Sequence, residues 1–205
     1  FEGGNRWDIR GDFSFPIIKG KLKASTNMST TIGNSYAIVN DFVNKTRSMG
    51  YYPSANITFT PNKKVSLFAS GNLNIVDTRY EINTSQDQVN INNTFTLSCD
   101  AEMFWKTFIN TSFDYRTFNN DRFGVSQQIP ILNASVYKQF LPGNKLEVRL
   151  SLYDAFNQNR NVSQFASGNS VQESRTNALG RYVMVSLSYN IKGLKTGLDK
   201  GGRWY

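Results

Sequence analysis

The stretch KLEVRLSLYDAFNQN, residues 145–159, and its return strand RYVMVSLSYNI, residues 181–191, decide the fold. Leu146, Val148, Leu150 and Leu152 alternate with Glu147, Arg149, Ser151 and Tyr153. Arg181, Val183, Val185, Leu187, Tyr189 and Ile191 then alternate with Tyr182, Met184, Ser186, Ser188 and Asn190. Successive side chains of an extended chain point to opposite faces, so each run predicts a strand with one apolar and one polar side. Each runs to about ten residues, the length a tilted strand needs to cross a bilayer and longer than the usual globular strand.

Outward from this hairpin the alternation recurs. Trp7, Ile9, Gly11, Phe13 and Phe15 oppose Asp8, Arg10, Asp12 and Ser14, and a second strand follows over residues 21–32. Residues 33–50 are expected to be a long connection folded over a barrel mouth. Strands over 51–60 and 65–75 flank Pro61-Asn62-Lys63-Lys64, whose proline pre-sets φ and whose asparagine tolerates the left-handed region, as a turn needs. Further strands are predicted over 89–103, 107–116 and 132–140, with a tight turn near Trp105-Lys106 and another at Leu141-Pro142-Gly143-Asn144.

Short turns after Phe15, Thr60, Phe104 and Phe140 alternate with longer connections after Ile32, Tyr80, Phe118 and Tyr153. Short periplasmic turns and long extracellular loops mark outer-membrane barrels. The expected fold is therefore all-β, an antiparallel transmembrane β-barrel. Bacterial single-chain barrels have even strand numbers, and about nine strands are counted here, with open edges that hydrocarbon does not tolerate. The expectation is the C-terminal portion of a larger barrel. Residues 1–191 supply its strands and loops, and 192–205, rich in glycine and lysine, a periplasmic tail.

Composition narrows the functions. Only 39% of residues are hydrophobic, and no apolar run approaches the about eighteen residues of a membrane-spanning helix. The single cysteine, Cys99, excludes an internal disulfide and falls in the apolar series Phe95, Leu97, Cys99, Ala101, Met103. There is no histidine, so hydrolases built on a histidine base are excluded, and no enzymatic activity or cofactor is expected. The net charge of +8 resides largely in lysines of the turns and tail, an arrangement suited to lipid headgroups, and no nucleic-acid motif accompanies it.

The residues left for function are the charges on the polar faces: Asp8, Arg10, Asp12, Asp100, Glu102, Asp114, Arg116, Glu147 and Arg149. They are expected to face the lumen, with cross-strand ion pairs lining a wet interior. They stand as packing or plug-contact residues first and as a substrate path second. No metal ligand set completes itself around Asp100 and Glu102.

Tyr153-Asp154-Ala155-Phe156-Asn157-Gln158-Asn159 and residues 179–189, LGRYVMVSLSY, together resemble the last hairpin of Bacteroidetes outer-membrane barrels related to TonB-dependent receptors. The resemblance implies an outer-membrane transporter for nutrient uptake. It also implies an N-terminal plug, further strands and the TonB protein as partners, with outer-membrane lipid around the barrel. A barrel that does not transport, acting as scaffold or subunit of an outer-membrane assembly or secretion complex, is the alternative.

Overall fold

The computed structural model describes residues 4–39, 41–159, 161–167, 170–176 and 179–191. The tail expected over 192–205 lies outside them. The strands are β1 (Asn5–Ile18), β2 (Leu22–Val39), β3 (Phe42–Asn62), β4 (Val65–Tyr80), β5 (Gln88–Glu102), β6 (Thr107–Asn120), β7 (Val125–Phe140), β8 (Leu146–Tyr153), β9 (Asn161–Ser167), β10 (Ser170–Thr176) and β11 (Tyr182–Tyr189). A nine-stranded antiparallel sheet runs β1-β2-β3-β4-β5-β6-β7-β8-β11, and β9 and β10 pair separately. All its strand neighbours except β8 and β11 are consecutive in sequence, so the sheet is a meander.

The register holds the alternation in phase across the sheet, with shifts near two turns, between Pro16 and Ile18 and between Phe59 and Asn62. One row passes through Leu22, Phe59, Leu67, Cys99, Thr111, Ala134, Leu152 and Val183. The adjacent row on the other face passes through Ser66, Asp100, Asn110, Ser135, Ser151 and Met184. A slip of one residue at any pairing would mix the faces.

Exposure is inverted relative to a water-soluble sheet. On the apolar face Leu97 is 56% exposed and Val185 72%, while on the polar face Ser151 is only 3% exposed. A flat single layer would leave its faces equally open, so the sheet is curled toward its polar side. Apolar groups left outside in this way need an apolar solvent.

That apolar band has an edge. On β4 the outward positions are uncharged over residues 65–75, close to the about 9–11 residues of a membrane-crossing strand. The next outward positions are Asp77 and Arg79, level with Met49 and Arg47 on β3. Arg79 Nε lies 2.6 Å from Asp77 Oδ1, and Nη1 lies 3.4 Å from Asp87 Oδ2. Hydrogen bonds to Asp77 first and Asp87 second raise the pKa of this guanidinium, which sits beyond the band. At the opposite end Phe104 and Trp105 project from the turn, amphipathic or apolar rings placed where a bilayer interface would fall.

Several expectations need correction. Strands β1 to β4, β6 and β7 run past their expected bounds, at 14 to 21 residues, β5 has its expected extent, and β8 and β11 have 8 residues each where about ten were expected. Residues 33–50 do not form a mouth-covering connection: β2 and β3 stay paired to Val39↔Phe42. The pattern continues there, with Tyr36 and Lys45 opposed and the ammonium 6.0 Å from the ring centroid, and Asp41 takes the positive φ that a tight reversal requires. The connection after β6 is likewise short, over 121–124, with Gly124 at φ +59. The polar loop after Tyr153 contains the β9–β10 hairpin. The long connections that remain are those after β4 and β8. Elsewhere the ends differ because strands extend past the band. The turn at 61–64 is as expected, with Asn62 Oδ1 accepting the Lys64 N–H at 2.8 Å.

Among the described residues β1 and β11 are each paired on one side only. Being first and last of nine antiparallel strands they run in the same direction, so they could join only as a parallel pair. Unpaired strand edges in hydrocarbon cost several kcal/mol per orphaned group, on the order of the desolvation of a peptide unit.

Candidate functional site on the polar face

All nine candidate charges fall on one face of the sheet, the more enclosed one, but they form separate groups. The first is on the edge strand. Asp8, Arg10 and Asp12 face Thr31, Ser29 and Asn27 on β2. Arg6 bridges Asp8 at 3.0 Å and Arg10 bridges Asp12 at 3.3 Å, all well exposed. Ion pairs of this exposure contribute little stability. Arg6 lies just before the first alternating residue and was not anticipated.

The second group lies at the short-turn end of β5 to β8. Arg149 Nη2 meets Glu147 Oε1 at 2.8 Å, with the two side chains only 18% and 15% exposed. The same guanidinium stacks 4.0 Å from the Tyr137 ring centroid, and Tyr137 in turn stacks on Phe108 at 4.8 Å. Arg149 Nη1 also donates to Asn110 Oδ1 at 3.3 Å and Ser135 Oγ at 3.4 Å, and the Asn110 amide donates to Asp100. Asp100, Glu147 and Arg149 are thus joined through one asparagine, with Glu102 one row further along beside Phe108. Asp100, Glu147 and Arg149 are each engaged by protein groups, which makes them a packed element that fixes the curl of β5–β8.

Among the described residues the expected cross-strand ion pairs between these charges are absent. The bridges run instead between residues two apart on the same strand. The reason is the register: opposite Asp8, Arg10 and Asp12 stand neutral side chains, and opposite Arg149 stand Tyr137 and Ser186. Positions i and i+2 share a face about 6.6 Å apart, within reach of an arginine.

The third group is at the other end. Asp114 and Arg116 on β6 line a cavity of about 330 Å³. Ile131 on β7, Tyr153 on β8, Tyr182 on β11 and Asn159 complete most of its wall. Tyr153 and Tyr182 are opposite one another in register and stack at 4.7 Å. Thr96 Oγ1 donates to Asp114 Oδ1 at 2.6 Å, whereas Arg116 has neither an ion pair nor a hydrogen bond among the described residues.

The segment 153–159 builds this corner. Asp154, buried and at φ +48, accepts the N–H groups of Gln158 at 3.0 Å and Asn159 at 2.9 Å. Its own N–H donates to Asn133 Oδ1 at 2.9 Å, docking the turn on β7. Asn157 Oδ1 accepts the Arg181 N–H at 2.9 Å, tying the far end of the connection back. On the opposite face Phe156 meets Phe113 edge-on at 6.4 Å. The motif that carried the resemblance is therefore a structural knot placed beside the cavity.

Tyr153 and Tyr182 were legible as aromatic residues on a polar face, but that they meet required knowing that β8 pairs with β11. Among the described residues no three His, Cys, Asp or Glu side chains converge as a metal site would require. No helix among them is long and apolar enough to cross a membrane.

No curated protein and no solved structure matches the chain. A family model, described as the outer membrane protein beta-barrel family, matches residues 6–189, which spans the sheet from β1 to the end of β11. The inverted faces, the in-phase register and this match agree: the chain belongs to the outer membrane protein beta-barrel family and resides in the bacterial outer membrane.

Proposed function

We propose that these strands form part of the barrel of a TonB-dependent-receptor-like transporter that takes up a nutrient across the outer membrane. The observation that carries this reading is the enclosed polar face, lined with charged and amide groups along its length and holding a cavity at one end. A wet, charged interior gives a polar ligand a path through the barrel. The segment 153–159 and its likeness to the last hairpin of such receptors support the same reading. In this function the strands pass a ligand without transforming it, a plug occupies the lumen, and TonB supplies the force. The free edges of β1 and β11 are then joined by further strands of the same barrel.

Those free edges also suit a second reading, in which partner proteins complete the sheet and the barrel is a subunit of an assembly or secretion complex. One experiment separates them. The native protein is extracted from outer membranes, its intact mass and N-terminal peptides are determined, and it is passed over the immobilised C-terminal domain of TonB. The transporter reading expects a heavier chain with a plug that TonB retains. A barrel without a plug, ignored by TonB and co-purifying with other proteins, establishes the scaffold instead.

A further inference from the structure

On the described strands, oppositely charged side chains two residues apart form bridges unless, like Asp8 and Arg10, each is already bridged to another neighbour. Arg6–Asp8, Arg10–Asp12, Asp77–Arg79 and Glu147–Arg149 all do so, at 2.6 to 3.3 Å. Asp114 and Arg116 have the same spacing and the same face, and they do not bridge. They are also the pair that lines the cavity. Charges that could satisfy each other at no geometric cost, yet stay apart at a cavity wall, are positioned for a ligand that satisfies both.

We propose that this cavity is a binding site for a small zwitterion, a dipeptide, held with its carboxylate on Arg116 and its ammonium on Asp114. Size fits: about 330 Å³ is at the small end of ligand pockets, which run to about 1,000 Å³. Spacing fits as well. The two Cα atoms are separated by about 6.6 Å along β6, and two residues of extended peptide span at most about 7 Å. A dipeptide lying along β6 can therefore reach one of the two side chains with each terminus. Guanidinium is the group that grips a planar carboxylate in two hydrogen bonds. Asp114 has one oxygen taken by Thr96 and the other left for an ammonium N–H.

The remaining wall suits the rest of such a molecule. Ile131 and Leu179 offer aliphatic surface, and the stacked Tyr153 and Tyr182 offer a flat aromatic one. Asn159, whose backbone is fixed by Asp154, places an amide where a peptide bond can pair with it. The saturated Glu147–Arg149 core could not do this, because its arginine already carries glutamate, asparagine, serine and tyrosine contacts. This proposal names the cargo class of the uptake reading and rests on that reading only for what happens after binding.

The test is calorimetric titration of the purified full-length protein in detergent, with no energised membrane. The probes are Leu-Phe, its C-terminal amide, its N-acetyl form, and glucose. Saturable binding of Leu-Phe is expected, about tenfold or more weaker for either capped peptide, since each cap removes one charge-assisted contact. R116Q should weaken Leu-Phe about tenfold while leaving the amide within twofold of its wild-type affinity, and D114N should do the same with the N-acetyl peptide. Three results would each overturn the proposal: no saturable binding of Leu-Phe, capped peptides binding as tightly as the free one, or glucose binding in its place. If the variants do not fold, as judged by heat-modifiable mobility on a gel, the wild-type comparison of capped and free peptides decides alone. Binding without uptake in cells would count against transport and not against this site.

Discussion

Leu150 and Ser151 are neighbours in the chain and opposites in fate: the leucine is 53% exposed and the serine 3%. In water the hydrophobic effect would reverse them. The comparison of the two faces teaches that the sheet is built for two solvents, hydrocarbon outside and water inside. The same alternation that would make half of a soluble sandwich makes a wall here. Strand β4 marks where hydrocarbon ends, because its outward series changes from Ile75 to Asp77 and Arg79 without any change in the strand itself.

The difference between faces is broken most severely by a charge on the outer one. Leu97→Arg, at the middle of β5, should cost about 2–4 kcal/mol in reversible unfolding from lipid vesicles, as arginine does at a bilayer midplane. Asn72→Arg, exposed on the inner face, should cost less than about 1 kcal/mol. A smaller effect is expected inside, at the packed core. Arg149→Ala leaves Glu147 enclosed without its cation and strips Tyr137 of its stacking partner, at about 1–3 kcal/mol. The double variant E147Q/R149M should recover part of that loss, because no lone charge remains. Asp154→Ala removes the acceptor of two backbone N–H groups and should cost about 1–2 kcal/mol. Limited proteolysis should then cut faster within 154–181. Least of all, Asp77→Ala, in a partly exposed pair beyond the band, should change stability by under about 1 kcal/mol.

What the sequence disclosed follows from what is local. Alternation and turn chemistry are properties of neighbouring residues, so β8 was legible from Leu146 to Tyr153 and the 61–64 turn from its proline and asparagine. The extension of β2 and β3 through residues 33–50 was not, because glycines, asparagines and a lysine there mask a pattern that hydrogen bonding nonetheless continues. The nine charges share one face in the register, and that much needs only parity. Their partners were not legible, since pairing depends on which residue stands opposite, and register is a long-range property. The Phe108–Tyr137–Arg149 stack joins three strands, and the cavity requires β8 beside β11 with the 154–159 turn folded back between them. No local signal encodes either.

The central claim is that one face meets lipid and the other water. It is tested most directly by spin labels placed one at a time at residues 94–101, with Cys99 replaced by serine for the other positions, in protein reconstituted into bilayers. Accessibility to dissolved oxygen should peak at 95, 97, 99 and 101, and accessibility to a water-soluble nickel chelate at 94, 96, 98 and 100, the two oscillating out of phase. Oscillations in phase, or a nickel maximum at Leu97, would contradict the account and place both faces of the sheet in water.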